Sequence, residues 1–141
     1  MIEEYLKNCL YFTASKLARI ITKMAEEEFA PTGLSPAYAF LLMIVHERPG
    51  ISQQELGSAL HLTPSTVTRF IDKLEVKGFV TRTVEGKNSL INLTEKGLVL
   101  QERIEQAWSS LYDRYSDILG EEEGDSLTKL IFDAGERLDG K

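Results

Sequence analysis

Ser65, Thr66, Thr68, Arg69 and Lys73 crowd into one short stretch, and their chemistry is that of recognition rather than catalysis. Short hydroxyl side chains let a helix backbone come close to a polyanion and can hold phosphate oxygens or base edges. Arg69 carries the planar fork that pairs with a guanine edge in a major groove. At helical spacing Ser65, Thr68, Arg69 and Asp72 share one face, with Thr66 and Lys73 at its edges. Val67, Phe70, Ile71 and Leu74 share the opposite face and would turn toward a core. The sequence has no glycine-rich phosphate loop, no metal-ligand cluster and no nucleophile–base pair, so an enzyme is not expected.

The neighbouring residues supply elements that could position such a helix. Thr63-Pro64 is a start signal: threonine caps the free N–H groups, and proline fits the first helical position, where its missing N–H costs nothing. Gly78 ends the helix. Upstream, Ser52 and Glu55 are spaced to cap each other's amides at the start of a first helix, with Leu56 and Leu60 on one face. His61 and Leu62 form a short turn between the two helices. Downstream, residues 79–82 and 89–93 alternate or run apolar as paired strands do, with a turn over 85–88. Ile51 could add a short strand beside that hairpin. Across residues 52–94 the order is therefore helix, turn, helix, hairpin. Ser52, Gln53, Thr63, Arg82, Lys87 and Asn88 complete the candidate DNA-contact set. The competing reading is a protein–protein module of the same shape without specific DNA binding. Salt dependence separates the two, because phosphate contacts weaken steeply with salt.

Four motifs carry a family resemblance. They are Ser52-x-x-Glu55-Leu56, Leu62-Thr63-x-Ser65-Thr66-Val67-Thr68-Arg69, Leu74-Glu75-x-Lys77-Gly78-Phe79-Val80 and Leu93-Thr94-Glu95-Lys96-Gly97. Together they resemble the winged-helix core of the MarR family of bacterial transcription regulators, and flanking helices extend the likeness over nearly the whole chain. The resemblance implies a mainly α fold with a small β-hairpin wing: a winged helix-turn-helix plus long terminal dimerisation helices. It implies one domain over residues 1–141, with 1–34 and 98–141 as dimerisation helices and 35–97 as the DNA-binding core. It further implies a sequence-specific homodimer on a palindromic double-stranded operator, acting as a repressor released by a small-molecule or stress signal, with no cofactor. One departure concerns the wing, where the family usually carries Asp-x-Arg and sends that arginine into the minor groove. Here Glu85-Gly86-Lys87 stands in the matching place, in a wing a few residues shorter. Lysine is a point charge without arginine's planar fork, so backbone contact is the expectation for Lys87.

Composition bounds these readings. A chain of 141 residues fits one domain. No apolar run approaches membrane-spanning length and no charged-then-apolar leader opens the chain, so a cytoplasmic protein without a membrane partner is expected. The lone Cys9 excludes an intramolecular disulfide. A net charge of −6 looks wrong for a partner of DNA, but residues 101–141 hold eleven acids against five bases, whereas 51–100 hold six bases against five acids. Affinity for phosphate follows local charge, because distant charges are screened. Arg69, Lys73, Lys77, Arg82 and Lys87 still make only a thin basic surface, which a dimer would double.

Residues 1–29 lack proline and glycine, and Ile2, Tyr5, Leu6, Cys9, Leu10, Leu17, Ile20, Ile21 and Met24 predict a single long amphipathic helix, broken at 30–33. Ser35-Pro36 repeats the cap-plus-proline signal before a strongly apolar helix to residue 47, expected to be buried on most sides. After the wing, Thr94 would cap one long helix to about residue 119, slightly weakened in its first turn by Gly97. Its stripe is Leu98, Ile104, Trp108, Leu111, Tyr112, Tyr115 and Ile118. Glu121, Glu122 and Glu123 open a last helix, where negative charge suits the dipole. Its seam is Leu127, Leu130, Ile131, Ala134 and Leu138. Three such stripes exceed what so small a reading head can cover, and a second copy is the economical partner.

The residues bear on three kinds of sensing. For metals, His46, His61 and Cys9 lie on separate elements, and structural roles are expected instead. For oxidants, Cys9 is a candidate redox residue. Asn8-Cys9-Leu10-Tyr11-Phe12 is placed somewhat like the segment bearing the reactive cysteine in the hydroperoxide-sensing branch of the family. However, Thr13 and Ser35 stand where tyrosines usually hold that thiolate. The competing role is packing on an apolar helix face. For small molecules, Phe12, Tyr38, Met43, Trp108 and Tyr112 are candidates to line a cleft between the dimer helices and the reading head. There a small aromatic or phenolic effector would favour one spacing of the recognition helices over another. The competing role for each is core.

Overall fold

In the computed structural model, which describes residues 1–140, the apolar periodicities resolve into helices and one small sheet. The order is α1 (Ile2–Lys7), α2 (Leu10–Phe29), a 3-10 turn (Ala30–Thr32), α3 (Pro36–Glu47), β1 (Ile51–Ser52), α4 (Gln53–Leu60), α5 (Pro64–Val76), β2 (Val80–Glu85), β3 (Asn88–Leu93), α6 (Glu95–Val99), α7 (Gln101–Leu119) and α8 (Glu121–Asp139). No single helix among the described residues is long and apolar enough to cross a membrane.

The core forms where the apolar faces of α3, α4 and α5 meet the sheet. Leu41, Leu42 and Val45 of α3, Leu56 of α4, Val67, Ile71 and Leu74 of α5, and Val80 and Ile91 of the sheet are all enclosed. Ile104 and Ala107 of α7 close one side. Phe29, which the sequence reading left out of the first stripe, is fully buried and meets Phe40 edge-to-face at 5.6 Å. It anchors the end of α2 in the core.

The sheet runs β1-β3-β2, antiparallel throughout, so Ile51 does extend the wing hairpin. Pairing of Glu85 with Asn88 leaves Gly86 and Lys87 as a two-residue loop. Gly86, at φ 63, takes the first central position, where a tight hairpin of this length requires glycine. The strands thus run nearer the tip than the alternation predicted.

Two expected helices are interrupted. The single helix over residues 1–29 breaks at Cys9, which is extended at φ −100 and ψ 115. The cause is local: the Asn8 side-chain amide donates to the Glu4 carbonyl at 2.7 Å, competing with the helical ladder. Cys9 therefore joins two helices in an exposed position and does not pack on an apolar helix face. The helix expected from Thr94 to about residue 119 is likewise divided at Leu100 into α6 and α7. The Ser35 cap also differs: the backbone has the right conformation, but the side chain makes no capping hydrogen bond.

Gly97 has a role that helix propensity does not reveal. Thr94 Oγ1 accepts from its N–H at 3.1 Å, capping α6 as expected. A Cβ built on Gly97 would lie 2.3 Å from the Phe79 carbonyl oxygen, so α6 docks on the residue before β2 by backbone contact. Lys96 Nζ adds a hydrogen bond to the Lys77 carbonyl at 2.9 Å, closing the junction between α6 and the end of α5.

The wing is tied to α5 by Arg82 of β2. Its guanidinium hydrogen-bonds to Asp72 and lies 3.7 Å from Glu75. At the other end of the molecule Arg114 of α7 pairs with Glu27 at 3.1 Å and Glu28 at 3.0 Å on α2, and these carboxylates push its pKa up.

Gly97→Ala is expected to cost about 1–3 kcal/mol, because neither backbone segment can yield without shifting an element. Urea unfolding should show a lower midpoint at unchanged slope; an unaltered midpoint would mean the junction relaxes freely. Arg82→Ala should cost only about 1 kcal/mol, since both carboxylates remain about half exposed. Its distinguishing sign is faster amide exchange confined to β2 and β3, and uniform exchange across the core would contradict the tether.

Candidate nucleic-acid interface

The recognition surface begins with the way α4 and α5 are locked together. Ser52 Oγ accepts from the Glu55 N–H at 3.1 Å, while the Glu55 carboxylate accepts from the Ser52 N–H at 3.4 Å, a complete capping box. His61 takes the left-handed conformation that turns the chain. Gly57 then lets the helices approach: a Cβ there would stand 3.1 Å from Val67 Cγ2 and 3.3 Å from the Leu62 carbonyl. Gln53 Nε2 donates to Thr68 Oγ1, which itself donates to the Pro64 carbonyl at 3.0 Å.

These contacts fix the phase of α5. Val67, Ile71 and Leu74 are fully buried, and Ser65, Arg69, Asp72 and Lys73 are exposed on the other side, as the spacing predicted. At the N-terminus Thr63 Oγ1 accepts from the Thr66 N–H at 3.4 Å and donates to Thr66 Oγ1 at 2.9 Å, with Ser65 Oγ 3.4 Å away. Three hydroxyls thus gather where unpaired N–H groups and the helix dipole favour an anion. Arg69 has no ion-pair partner among the described residues and projects freely. Lys73 Nζ sits 5.6 Å from the centre of the Tyr38 ring, which stacks on Phe70 at 4.3 Å.

The candidate contact set therefore divides. Thr63, Ser65, Thr66, Arg69 and Lys73 are presented together on α5, and Lys87 and Asn88 are exposed at the wing tip. Ser52 is buried within its capping box, Gln53 and Thr68 bond each other, and Arg82 is turned to Asp72 and Glu75. These four hold the surface in place. Gln54 and Ser58, which the sequence reading did not single out, line a concavity of about 750 Å³ with His61 and Pro64 beside the start of α5. Their only signal in the sequence was polarity on the outer face of α4, which any solvated helix shows.

The five proposed effector-cleft residues do not come together. Met43 and Trp108 line a cavity of about 590 Å³ between α3 and α7, with Phe40, Ile44, His46, Glu47, Gln101 and Glu105. Tyr38 precedes Phe40 by two residues, which turns it to another face of α3, against Phe70. Tyr112 lies a turn beyond Trp108 and donates to Asp125 of α8 at 2.9 Å, a bond that pushes its phenol pKa up. Phe12 stays on α2, partly exposed. Helical phase rather than aromatic type decides membership, and Phe40 and Ile44 were legible that way beside Met43. His46 lies on the rim of this cavity, His61 in the α4–α5 turn and Cys9 between α1 and α2. Among the described residues no three histidine, cysteine or carboxylate side chains converge on a metal position.

Comparison with known proteins bears on this arrangement. Residues 34–85 match the sequence model of the MarR family. The HTH-type transcriptional repressor YetL of Bacillus subtilis is 28% identical over 137 residues, covering 92% of this chain and 80% of YetL. The uncharacterized HTH-type regulator YybA of the same organism is 31% identical over 84 residues, 57% of this chain but only 56% of YybA. The match likewise spans 64% of the repressor MdtR, so this chain covers under two thirds of some curated relatives. Among solved structures, the transcriptional repressor CouR bound to a 23-mer DNA duplex superposes with a TM-score of 0.85 at 22% identity, over 92% of this chain and 94% of that one. That likeness shows the fold alone. The matched segment runs from the end of the 3-10 connection through α3, α4, α5 and β2, the elements that build and brace the exposed face of α5, and over these residues the chain is similar to the MarR family.

Proposed function

We propose that this chain is a dimeric, sequence-specific DNA-binding transcription regulator, acting as a repressor released by a small aromatic or phenolic effector or a stress signal. The observation that carries the reading is the face of α5, where Arg69 stands unpaired among the described residues between exposed Ser65 and Lys73 above a fully buried opposite stripe. In this reading α5 enters the major groove and Arg69 pairs with a guanine edge. Thr63, Ser65 and Thr66 hold a phosphate at the helix N-terminus, and Lys73, Lys87 and Asn88 contact the backbone. Ser52, Gln53, Thr68 and Arg82 are positioning residues. YetL and MdtR, both named as repressors, and the DNA-bound CouR structure support it.

Dimerisation is inferred from what the terminal helices leave uncovered. Tyr5 and Leu10 near the N-terminus, and Ile118, Leu130, Phe132 and Leu138 on α7 and α8, are exposed, and unpartnered apolar surface on this scale marks an interface. A two-fold dimer would set two α5 helices about one turn of DNA apart on a palindromic operator. The cytoplasm is the setting that fits such a role. The cavity between α3 and α7 is the effector site we favour, since its walls belong to the reading head and to a dimer helix. An occupant would bias the angle between them.

Selection from randomised duplex DNA at near-physiological salt should enrich a palindrome. Arg69→Ala should lower discrimination at one base pair per half-site by about 1–3 kcal/mol, with dimerisation intact; unchanged preference would remove the role given to α5. Lys87→Gln should weaken all sequences alike and reduce the salt slope by about one per subunit. Binding insensitive to salt would instead favour a protein partner.

A further inference from the structure

We infer that the cavity between α3 and α7 selects an aromatic cation and rejects carboxylates and phosphates. The inference rests on reading that cavity as a ligand site and specifies the class of ligand it takes. At about 590 Å³ it has the size of a small-molecule pocket. Phe40, Met43, Ile44 and Glu47 recur on α3 at i, i+3, i+4 and i+7, and Gln101, Glu105 and Trp108 recur on α7 at i, i+4 and i+7. Two helical faces therefore confront each other, each apolar along part of its length and carboxylate-bearing near one end.

The apolar part is built for a flat ring. Phe40 and Trp108 meet at 5.3 Å and 64°, and Trp108 keeps half its surface open to the cavity and solvent. The polar part carries one sign of charge. Glu47 and Glu105 line it with His46 and Gln101, and no lysine or arginine is among the lining residues. Arg48 lies outside the lining and approaches Glu47 only at 3.9 Å, with both side chains mostly solvated. Glu47 also ends α3, so the outward carbonyls of that helix terminus add to the negative potential. An anion entering here would meet two carboxylates and a helix C-terminus, with no lysine or arginine in the lining to answer it and only the N-terminal turn of α7 at Gln101 opposing them. A ring bearing an ammonium or amidinium group would stack on Phe40 and Trp108 while its charge faced Glu47 and Glu105, and Trp108 offers it a cation–π surface. The acyl-CoA thioester named as bound to CouR, a polyanion, is the opposite class.

The test compares three probes of matched shape on the full chain: para-phenylbenzylammonium, para-phenylbenzyl alcohol and para-phenylbenzoate. Calorimetry gives affinities, and emission of Trp108, the single tryptophan, reports the site directly. All three probes are compared in one buffer at one pH. The ammonium should bind at least about tenfold tighter than the benzoate, with the alcohol between them, and the ratio should shrink as salt rises. Glu47→Gln and Glu105→Gln, both surface changes, should each narrow the ratio, and the double variant should bring it near one. A benzoate that binds as well as the ammonium, binding of none of the probes, or a ratio unchanged in the double variant would each overturn the inference. Operator binding is measured separately without probe. Its absence beside a clear cation preference would sink the regulator and leave the selectivity standing, and its presence without that preference would do the reverse.

Discussion

Val67, Ile71 and Leu74 have no solvent exposure, and burial of each such side chain is worth about 1.5–3 kcal/mol. A helix held by that stripe cannot rotate without exposing it. Ser65, Arg69 and Lys73 face outward as a consequence of what lies beneath them. The neighbouring constraints serve the same end. Gly57 brings α4 against Val67, the Gln53–Thr68 bond ties the first turn of α4 to α5, and the Ser52–Glu55 box keeps Gln53 in position. Specificity by side-chain contact demands such rigidity, because base edges differ by less than the sweep of a loose helix.

The charge balance of the surface is also internal. Asp72 lies on the outward face of α5 and taken alone would repel a phosphate. Arg82 reaches across from β2 and neutralises it, so this cation of the wing strand serves the helix instead of projecting to solvent. The basic surface is thinner than the sequence count implied, and it leans more heavily on Arg69, Lys73 and Lys87.

Most local signals were legible in the sequence, the Ser35 side-chain cap being the exception. The capping box at Ser52, the Thr63-Pro64 start, the two faces of α5 and the alternation of the wing all depend on near neighbours, and they specify residues 52–94 in order. Failures came where the deciding partner was distant or the competition subtle. Apolar spacing runs unbroken through Cys9, while the side-chain bond from Asn8 to the Glu4 carbonyl competes with the helical ladder there. Gly97 looked like a mild defect because the Phe79 carbonyl that excludes any side chain is far off in sequence. The effector residues were grouped by aromatic type, whereas α3 and α7 bring together only those sharing a helical phase.

The contact between Gly97 and Phe79 also bears on how movement would pass through the molecule. Side chains at an interface act as cushions: they change rotamer and absorb small displacements. At Gly97 main chain rests on main chain, with the Leu93 and Lys96 side chains only flanking the contact. A displacement of α6 would therefore be felt directly at the end of α5. Between the long helices and the recognition surface, the regular helix is divided at Leu100. The break at Leu100 thus lies between α7 and the α6–Phe79 contact, on the far side of that contact from the recognition helix.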